Sequence, residues 1–183
     1  KGIGALYIKN GTKISPLMHG GGHESGFRSG TENIPGIVGF AEAVRTGEKN
    51  KKKNIVHMKK IQEKIIEGLL EIPKVELNGP EPDAEAKKGR ICNNINVSFS
   101  NIEGEAIGGY LQRDGIMVST GSACMSHSLE SSHVLKALGL DGIKSNSSLR
   151  ISISKYTTEE EAERFLKSIR KTVKKLRAIS PLT

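Results

Sequence analysis

Between residues 36 and 70 apolar side chains recur at three- and four-residue spacing: Ile37, Val38, Phe40, Ala41 and Val44, then Ile55, Met58, Ile61, Ile65, Ile66, Leu69 and Leu70. That is the repeat of an α-helix, and it predicts one long or broken helix ended by Pro73. A second run, Ala162, Phe165, Leu166, Ile169, Val173 and Leu176, follows Thr158-x-x-Glu161, the spacing of a capping box. Between the two lie segments of a different period. Residues 94–99, 116–119 and 149–154 read as strands, the first and last alternating, and residues 1–8 read as a buried strand. Residues 105–113 and 132–138 read as short helices, Asn78-Gly79-Pro80 as a turn, and the Pro/Glu/Lys-rich stretch up to Gly89 as an exposed connection. Strands alternating with helices make the expected fold class α/β, and no internal repeat interrupts the pattern.

A chain of 183 residues buries a core without a metal or disulfide staple. Its formal charge of +8 raises the question of nucleic acid, but much of the excess sits in Lys49, Lys51, Lys52, Lys53, Lys59 and Lys60, away from the apolar stripe of the long helix. Aromatics are 4% of the chain and do not interleave with these lysines, so a solvated face is favoured over RNA binding. Two cysteines, Cys92 and Cys124, are too few for a disulfide framework and suit a reducing compartment, the cytoplasm. No apolar run approaches the ~20 residues of a membrane span. The first residue is Lys1 rather than Met, and a strand begins there without lead-in, so a fragment of a longer chain is expected.

Four places carry candidate chemistry. Residues 15–36 are polar and rich in glycine, and Arg28, Ser29 and Thr31 add side-chain donors suited to a phosphate; a plain surface loop is the alternative. Cys124 stands among small and polar residues, 119–130, where a core role is excluded. A thiol there is either a nucleophile, deprotonated with help from His127 or His133, or a free loop cysteine. Cys92, beside Ile91, reads as a buried structural residue. Arg150 shares a strand face with Ser148 and Ser152, which suits either a two-pronged grip on a carboxylate or phosphate, or an edge pair with a surface acid. His19 and His23 stand four apart, but they lie in a glycine loop and no Cys-x-x-Cys pair accompanies them, so no zinc site is expected.

The ordered set Lys1-Gly2-Ile3-Gly4-Ala5-Leu6-Tyr7, His19-Gly20-Gly21-Gly22-His23-Glu24, Arg28-Ser29-Gly30-Thr31, Asn94-Ile95-Asn96-Val97-Ser98-Phe99, Gly121-Ser122-Ala123-Cys124 and Leu149-Arg150-Ile151-Ser152 resembles the cysteine desulfurases of iron–sulfur cluster biosynthesis. The cysteine loop is similar to that of the branch with a long catalytic loop. The resemblance implies the C-terminal half of a homodimeric, pyridoxal-phosphate-dependent enzyme of the aminotransferase fold (fold type I), whose small domain has a mixed or antiparallel sheet with packed helices. It implies that residues 1–40 are the last strand and cofactor-phosphate loop of the large domain, 41–72 a connecting helix, and 73–183 the small α/β domain.

By the same resemblance Cys124 takes sulfur from L-cysteine as a persulfide, leaving L-alanine. Thr31 reaches the cofactor phosphate of the neighbouring subunit with Arg28 beside it, and Arg150 clamps the substrate carboxylate. The partners implied are an iron–sulfur scaffold or a tRNA-thiolation acceptor, with no membrane and no direct nucleic-acid contact. No resident metal is implied beyond transient iron–sulfur ligation by Cys124. The Schiff-base lysine would fall just before Lys1, so the 183 residues alone are expected to be inactive and to bind no cofactor stably. Ser25 stands where the family often has Arg, and Ser154-Lys155 where it often has Gly-Arg, which puts a local anion contact in doubt. Two other readings are a selenocysteine lyase or other pyridoxal-phosphate lyase, and a non-catalytic scaffold-docking or RNA-binding module.

Overall fold

The computed structural model describes residues 2–82, 89–120 and 132–180. They form two compact units, Lys1–Lys52 and Lys53–Thr183. Helix α1 runs from Ile34 to Leu70 and contributes residues to both. Asn33 caps its start: the Asn33 side-chain oxygen accepts from the Gly36 amide at 3.1 Å, and the Asn33 carbonyl from the Ile37 amide at 2.9 Å.

In the first unit the expected strand over residues 1–8 is not found. Residues 2–9 have no secondary structure, with Leu6 77% and Tyr7 88% exposed. A strand needs a ladder partner for its backbone groups, and none lies beside this segment among the described residues. A 3-10 turn over Glu24–Gly26 interrupts the glycine-rich loop that follows.

The second unit holds the core. After α1 come β1 (Val75–Leu77), β2 (Asn94–Phe99), α2 (Gly104–Arg113), α3 (His133–Ala137), α4 (Gly142–Asn146), β3 (Ser148–Ser152) and α5 (Glu159–Ile179). The sheet has the order β1-β2-β3 and is antiparallel throughout, with Leu77 opposite Val97 and Asn96 opposite Arg150. The α/β class is confirmed, and of the two sheet types expected the antiparallel one is found.

Alternation along β2 sends Ile95, Val97 and Phe99, each fully buried, to one face. There they pack in one cluster with Ile61, Ile65 and Leu69 of α1, Ile107 and Leu111 of α2, and Ile169 and Val173 of α5. The other face of β2 is polar. The buried side chain of Asn78 donates to Asn96 Oδ1 at 2.7 Å and to Ser98 Oγ at 2.8 Å, so these polar groups are satisfied rather than stranded. Buried Gln62 of α1 likewise donates to the carbonyls of Ile91 and Asn94, at 2.7 and 2.9 Å, and so ties the entry of β2 to α1.

The capping box is formed: Thr158 Oγ1 accepts from the Glu161 amide at 3.1 Å, and Glu161 Oε2 from the Thr158 amide at 2.8 Å. The expected strand over 116–119 shrinks to a single bridge between Ser119 and Arg150. Cys92, expected to be buried, is half-exposed, because it precedes β2 in an irregular turn outside the apolar cluster.

Candidate functional site

The glycine loop of the first unit is folded on itself. The Ser29 amide and hydroxyl both donate to the Met18 carbonyl, at 3.4 and 3.1 Å, and Ser29 is buried. Arg28 donates from Nη1 to the Ser29 carbonyl at 2.7 Å, which lays the guanidinium across Gly30. A Cβ on Gly30 would lie 2.7 Å from that nitrogen, and φ there is +105°, so glycine is required for both space and backbone. Thr31 follows directly and its side chain is exposed. Close by, His23 Nδ1 is buried without a hydrogen-bond partner, and a Cβ on Gly21 would approach it to 3.0 Å. The donor set therefore fits an anion: the remaining N–H groups of the Arg28 guanidinium and the exposed Thr31 hydroxyl make no hydrogen bond to any described residue. That chemistry suits the phosphate of pyridoxal phosphate.

Arg150 belongs to the second unit. Its amide donates to the Ser119 carbonyl at 2.7 Å and its carbonyl accepts from the Ser119 amide at 3.0 Å, while β2 flanks it on the other side through Asn96. The backbone is thus held from both edges, so Arg150 is not an edge residue. Its side chain is half-buried and makes no ion pair or hydrogen bond to any described residue. A guanidinium on a fixed backbone that meets no carboxylate among the described residues has the chemistry to grip an external one. The described chain leaves Ser119 and Thr120 towards the segment with Cys124 and His127, both of which lie outside the described residues.

His133 is exposed at the start of α3, and His19 is exposed in the loop. Among the described residues no group of three or more His, Cys, Asp or Glu side chains is arranged to hold a metal. Lys49, Lys51, Lys52, Lys53 and Lys60 are exposed and Lys59 is half-buried; Lys51 pairs with Glu48 at 3.2 Å and Lys60 with Glu159 at 2.6 Å. No described helix is long and apolar enough to cross a membrane. Sequence reasoning missed two positioning residues, Ser119 and Asn33. Asn33 was detectable, since Asn two residues before a proline is a helix-start signal; Ser119 was not, since its role depends on a long-range bridge.

Comparison with known proteins gives a consistent result. The family model described as aminotransferase class-V matches residues 1–165. "Cysteine desulfurase IscS" of Methanosarcina thermophila is 46% identical over 183 residues, which is 100% of this chain and 44% of that protein. "Cysteine desulfurase IscS 1" of Archaeoglobus fulgidus is 40% identical over the same 183 residues, 46% of its own length. The chain thus spans a little under half the length of these relatives. Among solved structures, a "NifS-like protein" superposes with a TM-score of 0.78 at 38% identity, covering 93% of this chain and 42% of its own. The apo cysteine desulfurase of Thermococcus onnurineus NA1 gives 0.64 at 27% identity, covering 84% and 34%.

Proposed function

The chain belongs to the aminotransferase class-V family, and from that premise we propose that it is part of a pyridoxal-phosphate-dependent cysteine desulfurase. The observation that carries this reading is Arg150, mounted between two backbone partners with its guanidinium bonded to no described residue, in a chain whose whole length aligns with part of proteins named cysteine desulfurases.

Arg150 binds the α-carboxylate of L-cysteine through two parallel N–H···O bonds and so fixes the substrate's orientation. Arg28 and Thr31 hold the cofactor phosphate, Thr31 across a homodimer interface, in the loop where Gly30 makes room for the Arg28 guanidinium. The cofactor, when bound, supplies the electron sink for breaking the substrate C–S bond. Cys124, as thiolate, accepts the sulfur: an S–S bond forms as the C–S bond breaks, and alanine remains. His127 and His133, which follow Cys124 in the sequence, are the residue types able to take the thiol proton.

The sulfur then passes to an iron–sulfur scaffold or a tRNA-thiolation acceptor in the cytoplasm, and Cys124 is the residue that would touch a cluster in transit. On this reading residues 1–40 close the large domain, 41–72 connect, and 73–183 form the small domain.

The test is kinetic, on the full-length protein. Cys124→Ala should abolish sulfide release from cysteine, whereas a selenocysteine lyase would keep its activity on selenocysteine. Arg150→Lys should raise KM for cysteine, lowering kcat/KM about 10- to 100-fold, the worth of one charged hydrogen-bonded pair. An unchanged KM would remove Arg150 from the substrate site.

A further inference from the structure

The cations of α5 are not explained by the chemistry above. From Arg164 to Arg177 the helix carries seven Lys and Arg residues and no acid. Its first turn, by contrast, holds Glu159, Glu160 and Glu161. Part of the asymmetry compensates the helix dipole, but that effect is confined to the last turn and does not account for Lys167 or Lys171.

The C-terminal part of this stripe borders a cleft of about 400 Å³ between the end of α1 and α5. Its floor is aliphatic: Ile72 and Val173 are buried, with Pro73 beside them. Its rim is cationic. Arg170 is neutralised by Glu71 at 2.5 Å. Lys174 has no ion pair among the described residues, and Arg177 donates only weakly, from Nη2 to the Lys74 carbonyl at 3.3 Å. Arg177 Nε is buried without a partner, and desolvation draws the pKa of this guanidinium below its usual value. An isolated buried N–H of a charged group is costly unless something in the working protein compensates it.

We propose that this cleft and the adjoining face of α5 bind an acidic peptide segment of a partner protein, with an aliphatic side chain seated on Ile72 and Val173 and carboxylates facing Lys171, Lys174 and Arg177. Charge complementarity selects the sign of the partner, and the aliphatic floor selects peptide over nucleic acid. A single-stranded nucleic acid needs aromatic faces for its bases, and no aromatic residue lines the cleft. Tyr110 of α2, the ring beside Lys175 of α5, is already covered by Lys175 at 5.0 Å and Arg113 at 5.5 Å. The inference does not depend on the desulfurase reading.

Fluorescence anisotropy on the full-length protein at physiological salt tests it. The reporters are a labelled Asp/Glu-rich octapeptide containing two leucines, the same peptide with both leucines changed to serine, and a labelled 20-nucleotide RNA. Saturable binding of the leucine peptide is expected. Lys171→Glu with Lys174→Glu, both at exposed positions, should weaken it at least tenfold. The equal charge change Lys52→Glu with Lys53→Glu should weaken it less than twofold, and the serine peptide should bind at least threefold more weakly. The proposal is overturned by absence of saturable binding, by equal losses in the two charge-reversal variants, by equal affinity of the two peptides, or by tighter binding of the RNA with the same dependence on Lys171 and Lys174.

Discussion

Two glycines of α2 show how one methyl group is decided by its surroundings. A Cβ on Gly104 would lie 2.2 Å from the backbone oxygen of Ser148, which cannot swing aside as a side chain can. The start of α2 is thereby allowed against β3. Gly109, on the same helix, has nothing within 4 Å of its would-be Cβ. Gly109→Ala should therefore stabilise the protein by up to about 1 kcal/mol through helix propensity. Gly104→Ala should destabilise it by about 1–3 kcal/mol, because backbone must move. Urea unfolding of the two variants checks the opposite signs. Equal shifts would mean that the α2–β3 contact is looser than the Gly104 geometry requires.

At the scale of elements, α1 and α5 are joined by apolar packing at the centre and by ion pairs at one edge. Gly68 of α1 lets Leu166 of α5 lie against its backbone, since a Cβ there would sit 2.6 Å from Leu166 Cδ1. At the edge Lys60 donates to Glu159 at 2.6 Å and Lys64 to Glu163 at 2.5 Å. The hydrogen bond from Lys60, followed by its charge, holds the Glu159 carboxyl below its usual value of 4.5. A depressed carboxyl pKa contributes stability that is present above 4.5 and lost as pH falls through the lowered value. Lys60→Met should thus flatten the dependence of the urea midpoint on pH below 4.5 and lower the midpoint slightly at pH 7 to 9, where its slope with pH is unchanged. A slope identical to that of the unmodified protein would show that Lys60 does not set the Glu159 titration.

The same elements show what the sequence discloses and what it withholds. Helices α1, α2 and α5 and strands β2 and β3 carry strong local periodicity, and the Thr158–Glu161 box marks a start by chemistry confined to four residues. β1 has only three residues, and α4 reads as polar, Gly-Ile-Lys-Ser-Asn, so neither has a period to detect. Residues 116–119 have strand-like composition but pair only at Ser119, because pairing is decided by the distant β3. Of the candidate site, the residue types in the loop and at Arg150 were readable. The Ser119 clamp, the Gly30–Arg28 approach and the Arg177 cleft each join residues far apart in sequence or depend on backbone shape, which no local pattern encodes.

The distribution of buried side chains sets an expectation for the whole molecule. Every described buried hydrophobic residue lies between Ile61 and Leu176. In the first unit Leu6, Tyr7, Leu17, Val38 and Val44 are exposed, and α1 has no buried residue before Ile61. Helical hydrogen bonds alone give marginal protection, because an isolated helix is stabilised mainly by packing an apolar face. Opening free energies should therefore differ along one continuous helix. In native-state hydrogen exchange of the 183-residue chain, amides of residues 37–52 should exchange at least tenfold faster than those of 61–70. The slowest set should comprise β2, β3 and the middle of α5, where Ile95, Val97, Leu149 and Ile169 are fully buried. Uniform protection from residue 37 to 70 would mean that the first half of α1 is packed in solution against a further surface, for instance that of a second copy of the chain.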